Sequence, residues 1–198
     1  MRTHFVTASN AATLVGLNPY SSPGRLKSPE PFEGNAFTKV GQMLEPVVVN
    51  VVNSVLNTEF VLFETEQKGK VFYTNGSLGA TPDAYYENIL LECKTTRPHT
   101  YHKYAGYPNV PYLIQAQVQL CCTGRDIAYL AILNTDLTQQ TAELHWPIVI
   151  YKTEKNMQIC EILQEEATRF LKSKSFRVNS EYKKLVKLLL SLSYEKIY

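Results

Sequence analysis

Apolar residues recur with a helical period between Asn35 and Asn57, where Phe37, Val40, Met43/Leu44, Val47/Val48, Val51/Val52 and Val55/Leu56 fall on one stripe. This pattern predicts a long helix. Pro46 interrupts it, so a kink or a restart is expected there. Upstream, residues 7–16 predict a short helix opened by Thr7 or Ser9 and closed by Gly16. Four prolines between Leu17 and Gly34 predict a long irregular loop. The period then changes. Residues 59–66, 71–74, 79–86 and 89–94 have the β-branched, aromatic and apolar content of strands, with Gly69, Asn75-Gly76 and Glu87-Asn88 as turns. A connection rich in proline, tyrosine and histidine leads to a helix over 111–122 that stops at Gly124. Residues 126–133 and 141–151 predict two further strands, and 155–173 and 180–191 predict helices. The order of elements predicts an α+β fold: a central mixed β-sheet flanked by α-helices.

With 198 residues, one domain spanning 1–198 with a helical C-terminal region over about 155–198 is the expectation. The composition, 44% hydrophobic and 19% charged, excludes a disordered chain. The net charge of +2 restricts any nucleic-acid surface to a local patch. The N-terminus lacks the apolar stretch of a signal peptide and no run reaches the ~20 apolar residues of a membrane span. An intracellular protein with no membrane partner is expected, in the host-cell cytoplasm or nucleus if the chain is viral. Cys93, Cys121, Cys122 and Cys160 lack C-x-x-C spacing, which argues against a zinc or iron–sulfur site and for reduced, mostly buried thiols.

The candidate chemistry lies in the run from Thr81 to Lys94. Ile89-Leu90-Leu91 is a short apolar run of the buried-strand type, and alternation sends Glu92 and Lys94 to one face and Cys93 to the other. A buried acid and base require partners. Asp83, brought alongside by the hairpin, supplies a second carboxylate, and a divalent cation would offset both. Oxygen donors suit Mg²⁺ or Mn²⁺ better than zinc. With a lysine beside them, the chemistry implied is phosphodiester hydrolysis; an ordinary hairpin with a charged exposed face is the competing reading. Glu45, among Leu44, Val47 and Val48, is either on an exposed stripe or turned toward that site. Gln115 and Gln119 are one helical turn apart and share a face, while a solvated position is expected for Gln117.

The ordered set Arg2 with Thr7-Ala8-Ser9, Gly41-x-x-x-Glu45, Pro82-Asp83, Glu92-Cys93-Lys94, and Tyr112-x-x-Gln115 followed by Thr123 resembles the lambda-exonuclease-like, YqaJ-type branch of the PD-(D/E)xK nucleases. The matching pieces run from Arg2 to about Leu133. The resemblance implies a restriction-endonuclease-like core. It also implies that Asp83, Glu92 and the Cys93 backbone carbonyl bind metal, and that Glu45 contacts the metal site directly or through water. Lys94 resembles the residue that positions and activates the attacking water, and Gln115 the glutamine that orients Lys94 or the water. Gln115 is preferred over Gln119 because Tyr112 and Thr123 set the register. Arg2 and Ser9 are similar in spacing to residues that hold a 5′-phosphate, though Ser9 as a simple helix cap is the competing role. Arg97, with Arg25, Lys27, Lys39, Lys103 and the tyrosines of 101–112, is a candidate for the DNA path.

By the same resemblance, the activity expected is 5′→3′ exonucleolysis of double-stranded DNA from its ends with Mg²⁺ or Mn²⁺, two ions, leaving a 3′ single strand for an annealing protein in recombination. A homotrimeric ring is a further implication. Arg2 stands almost at the first residue, where family members carry a preceding segment, and Ala84 follows Asp83 where many relatives have glycine. A structure-selective or endonucleolytic DNA or RNA nuclease of the viral alkaline type, and a non-catalytic DNA-binding module, are the alternatives.

Overall fold

The architecture follows from two adjacent apolar strands. In the computed structural model, which describes residues 4–27, 36–63, 71–135 and 147–198, β6 (Ile89–Thr96) and β7 (Ile127–Asn134) pair in parallel, with Glu92 opposite Leu130 and Lys94 opposite Ile132. A parallel pair needs helical cover on both faces. Alternate residues of β7 supply it: Leu130 and Ile132 join one core, Ala131 and Leu133 the other. The first core is completed by α1 (Ala8–Leu14), α5 (Val110–Thr123), α6 (Met157–Lys172) and α7 (Ser180–Ser191). The second is completed by α3 (Ala36–Leu56), through Val48, Val49, Val51 and Val52.

Among the described residues the main sheet has six strands in the order β2-β5-β6-β7-β8-β9, adding β2 (Val61–Leu62), β5 (Ala84–Tyr86), β8 (Ile148–Glu154) and β9 (Tyr194–Lys196). Among these described strands β6–β7 is the parallel pair and the other pairs are antiparallel, so the sheet is mixed as the pattern predicts. A second sheet, β1-β4-β3, joins β1 (Val6–Thr7), β4 (Leu78–Ala80) and β3 (Tyr73–Asn75).

The single strand expected over 79–86 is two strands, β4 and β5, belonging to different sheets. Pro82 offers no N–H to a ladder, and the chain changes sheets at Thr81-Pro82-Asp83. The connection after β6 contains a helix, α4 (Pro98–Gly106), opened by Pro98 at its first position. The proline-rich loop contains a short one, α2 (Pro23–Lys27). Both were hidden by proline, which marks a helix start as readily as a break. α3, in contrast, continues across Pro46 without restarting. Pro46 and Gln42 are both exposed, so the carbonyl that loses its donor remains accessible to water. Parts of the strands expected over 59–66 and 141–151 lie outside the described residues. No helix among the described residues is long and apolar enough to cross a membrane.

α5 is enclosed on nearly every side, by α1, β3, β4, β7 and α6. Gln117 is therefore buried rather than solvated. Its Nε2 donates to Thr153 Oγ1 at 3.0 Å and the Glu154 carbonyl at 2.7 Å, and its Oε1 accepts from Asn156 N at 2.9 Å. These bonds fasten the junction between β8 and α6. Gln117→Leu is expected to cost about 3 kcal/mol, since several buried groups lose partners, and to lower Tm by roughly 10 °C. Thermal melts check the stability. Turnover per folded molecule at 25 °C should stay within about twofold of wild type, because this amide faces away from the residues described next.

Candidate active site

β6 carries its chemistry on the face turned toward α5. Leu90, next but one to Glu92, packs against Ala116 and Leu120 of that helix, while Leu91 and Cys93 pack with the valines of α3. Strand alternation thus puts Glu92 and Lys94 under α5 and removes the Cys93 thiol to the opposite core. Burial, and the charges of Asp83, Glu92 and Glu45 after it, push that thiol well above its usual range, so it offers no thiolate ligand.

Asp83 reaches the site by interrupting a ladder. β5 pairs with β6 from Tyr86–Ile89 to Ala84–Leu91, where the pairing ends. The next outward-pointing amide, Cys93 N–H, donates to Asp83 Oδ2 at 2.9 Å. The Asp83 carbonyl accepts from Phe63 N at 2.9 Å. Both Asp83 and Glu92 are buried, at 7% and 1% exposed.

Three side chains converge on the Glu92 carboxylate. Oε1 accepts from Lys94 Nζ and from Gln115 Nε2, the latter at 2.5 Å, and Oε2 accepts from Gln119 Nε2. Burial, followed by repulsion from Asp83, pushes the Glu92 carboxyl up to about 7 against the attraction of Lys94. Burial alone would lower the Lys94 ammonium, yet Glu92 and Asp83 outweigh it and hold Lys94 above the usual lysine range. Lys94 Nζ also lies 5.2 Å from the centre of the Tyr112 ring.

The Asp83 and Glu92 donors are of the hard oxygen type, and the Cys93 thiol is turned to the opposite core. Among the described residues no group of three or more His, Cys, Asp and Glu side chains is arranged to hold a metal. The fit is therefore to a cation content with two carboxylates and otherwise with backbone oxygen, water or phosphate, as Mg²⁺ is. Two mutually repelling buried carboxylates are the feature that such a cation would relieve.

Glu45 enters from the other side. α3 runs along β6 with Gly41 over Thr95, where an added Cβ would lie 3.5 Å from the hydroxyl. One turn on, half-buried Glu45 is close enough to raise the Cys93 thiol electrostatically. It thus stands on α3, within electrostatic reach of the Cys93 thiol on that side of β6.

A cleft of about 210 Å³ lined by Thr7, Ala8, Ser9, Phe72, Gly79, Ala80, Thr81 and Gln115 joins the start of α1 to the α5 side of the site. Ser9 borders it, and its hydroxyl lies 3.2 Å from Thr7 Oγ1. Thr7, one of the two residues expected to open α1, is its N-cap residue, but its side chain makes no cap hydrogen bond; Ser9 lies inside the first turn. Arg2 lies outside the described residues. A second cavity, of about 380 Å³, continues from β6 beyond Lys94, lined by Val40, Thr95, Thr96, Arg97, Thr100 and Thr135.

The candidate DNA-path residues separate on inspection. Arg25, Lys39, Lys103 and Arg97 are exposed. Lys27 is directed to α6, donating to the Phe170 carbonyl and standing 4.1 Å from that ring's centre. Tyr104 is buried, accepting from Asn109 Nδ2 at 3.0 Å, and so presents no stacking surface, whereas Tyr107 is 53% exposed. Gln119, which the sequence ranks below Gln115, contacts Glu92 just as Gln115 does. The signal was the shared helix face, which admits both.

The chain matches a model of the YqaJ-like viral recombinase domain over residues 1–126. Among solved structures it is similar to an alkaline exonuclease (LHK-Exo) from Laribacter hongkongensis, at 20% identity over 96% of this chain and 94% of that one, with a TM-score of 0.61. It is also similar to a phage-related exonuclease from Haemophilus somnus 129PT, at 15% identity over 93% and 96% of the two chains, with a TM-score of 0.62. No curated protein matches the sequence at a significant level.

Proposed function

Because the chain belongs to the YqaJ-like viral recombinase domain family, we propose that it is a Mg²⁺- or Mn²⁺-dependent nuclease that degrades double-stranded DNA 5′→3′ from its ends. One nuclease domain over residues 1–198 would leave a 3′ strand for an annealing partner. The observation that carries this reading is the convergence of Lys94 and Gln115 on buried Glu92, with Asp83 bound to the amide of the next residue along β6. The likeness in fold to an alkaline exonuclease and a phage-related exonuclease supports it.

In this mechanism Asp83, Glu92 and the Cys93 carbonyl would hold the cation, and Glu45 would contact it directly or through water. A strand residue directs its N–H and C=O to the same side, so the Cys93 carbonyl faces the gap on the Asp83 side. When bound, the ion supplies charge stabilisation to the phosphoryl oxygens and acidifies water. Lys94, kept as an ammonium by two carboxylates, acts as a donor: it orients the attacking water and meets the charge that develops on phosphate. Its raised pKa argues against a role as the base that removes the water's proton. Gln115, at the border of the cleft, holds the water or Lys94 in line. Ser9 and Arg2 receive the 5′-phosphate, and Arg97 contacts the backbone beyond β6. A trimeric ring would keep the duplex threaded.

Three substrates digested side by side test the proposal. Linear duplex with 5′-phosphates should be consumed rapidly, the same duplex with 5′-hydroxyls at least about tenfold more slowly, since charge-assisted phosphate contacts are lost, and a covalently closed circle not at all. Rapid cutting of the circle would make the protein an endonuclease. Release of no nucleotides from linear duplex in fresh Mg²⁺ or Mn²⁺ would make it a non-catalytic DNA-binding module.

A further inference from the structure

We propose that Gln119 is a positioning residue: it pins the inner oxygen of Glu92 so that the outer oxygen stays presented to the cation. The inference rests on the reading of Glu92 as a cation ligand. The two carboxylate oxygens have unlike surroundings. Oε1 is held by Lys94, 22% exposed along its side chain, and by Gln115 at the cleft, both of which can give way to a cation. Oε2 is held by Gln119, which is fully buried.

Glu92 cannot fix the plane of its own carboxylate. The terminal torsion of a glutamate is broad and imposes little preference, so the plane is set by the donors around it. If Lys94 and Gln115 release Oε1 to the ion, Gln119 is the described donor that remains on the carboxylate. Its backbone is fixed, since the Gln119 carbonyl accepts from Thr123 Oγ1 at 2.8 Å and the neighbouring Leu120 and Ala116 pack into the core.

The amide also carries a cost. Gln119 Oε1 is buried with no hydrogen-bond partner among the described residues, and a core selected for packing alone would take leucine or methionine there. Gln117, two residues earlier, uses both ends of its amide to join β8 to α6. Gln119 makes one side-chain hydrogen bond among those described, and it goes to Glu92.

The test is calorimetric titration of Mn²⁺ into the full chain without DNA, for wild type, Gln119→Met, Gln119→Leu and Glu92→Gln, with a thermal melt of each. Methionine keeps the volume and removes the donor. The expected result is that Gln119→Met and Gln119→Leu fold and melt cooperatively, within several degrees of wild type because loss of the orphaned Oε1 offsets part of the donor lost to Glu92, yet bind Mn²⁺ 10–100-fold more weakly, as loss of a ligand's hydrogen-bonded support does. Turnover should fall, while KM for DNA stays within about twofold, since the fully buried amide presents no surface to a duplex. Folded variants that bind Mn²⁺ within twofold of wild type would overturn the inference and leave the nuclease reading intact. Failure of both variants to fold would make Gln119 a structural residue and also overturn it. A wild type that binds no Mn²⁺, or a Glu92→Gln variant that binds it equally well, would remove the cation reading itself.

Discussion

Lys94→Ala should reduce nucleotide release from linear duplex by several orders of magnitude while leaving DNA binding largely unchanged. The lysine is the one cation described in contact with Glu92, and the proposed reaction uses it to align water and to offset charge on phosphate, so its removal affects the transition state far more than the ground state. Single-turnover digestion in Mg²⁺ measures the first effect, and fluorescence anisotropy with labelled duplex in Ca²⁺ the second. A variant within about tenfold of wild-type turnover would exclude Lys94 from the chemistry. The same substitution has a structural signature. Glu92, 1% exposed, would retain only neutral amide donors, and a buried carboxylate that loses its ion-pair partner costs about 3–5 kcal/mol. The metal-free variant should therefore melt well below wild type at pH 8 and recover as Glu92 takes up a proton at lower pH. Lys94→Gln, which restores a donor, should recover stability without activity.

The second large effect joins pH to the cation. The Glu92 carboxyl is raised from 4.5 to about 7, by burial first and by Asp83 second. The unfolded chain loses this proton near 4.5 and the folded one near 7, so the stability the group contributes is complete below the lower value and is withdrawn as pH rises through the higher one. A cation held by the ionised pair works in the opposite direction. Below about pH 7 it must displace the proton, and above that it binds carboxylates already charged. The rise in Tm produced by Mg²⁺ should be small at about pH 5.5, grow through 7 and level off by about 8. A concentration 100 times Kd would add about 2.7 kcal/mol, or roughly 5–10 °C for a chain of this size. Differential scanning fluorimetry with and without Mg²⁺ across that range checks it, and the difference cancels groups indifferent to the ion. A Mg²⁺ effect that is independent of pH would mean that Glu92 is not among its ligands.

Much of this site can be read from local sequence. Two-residue alternation sends Glu92 and Lys94 to one face, and the four-residue interval puts Gln115 and Gln119 on one helix face. The long helix and both C-terminal helices follow from their periods, with α7 over the residues predicted. Errors arose where a residue's local preference admits two outcomes. Proline concealed α2 and α4 and, across residues 81–83, the passage from one sheet to the other. The pattern puts Gln117 in solvent, yet the face of α5 that carries it is covered by β8 and α6.

The order of residues along the chain specifies the set of chemical groups and the side of each element on which they lie, because periodicity is a property of consecutive residues. Which of them meet is set by packing between elements. Asp83 binds the Cys93 amide because the β5–β6 ladder ends at Ala84–Leu91. Gln119 reaches Glu92 and Gln117 does not because the rotation of α5 above β6 is set by its packing against α1, β3, β4, β7 and α6 together. Such a rotation is fixed by contacts between residues distant along the chain, and no local period contains it.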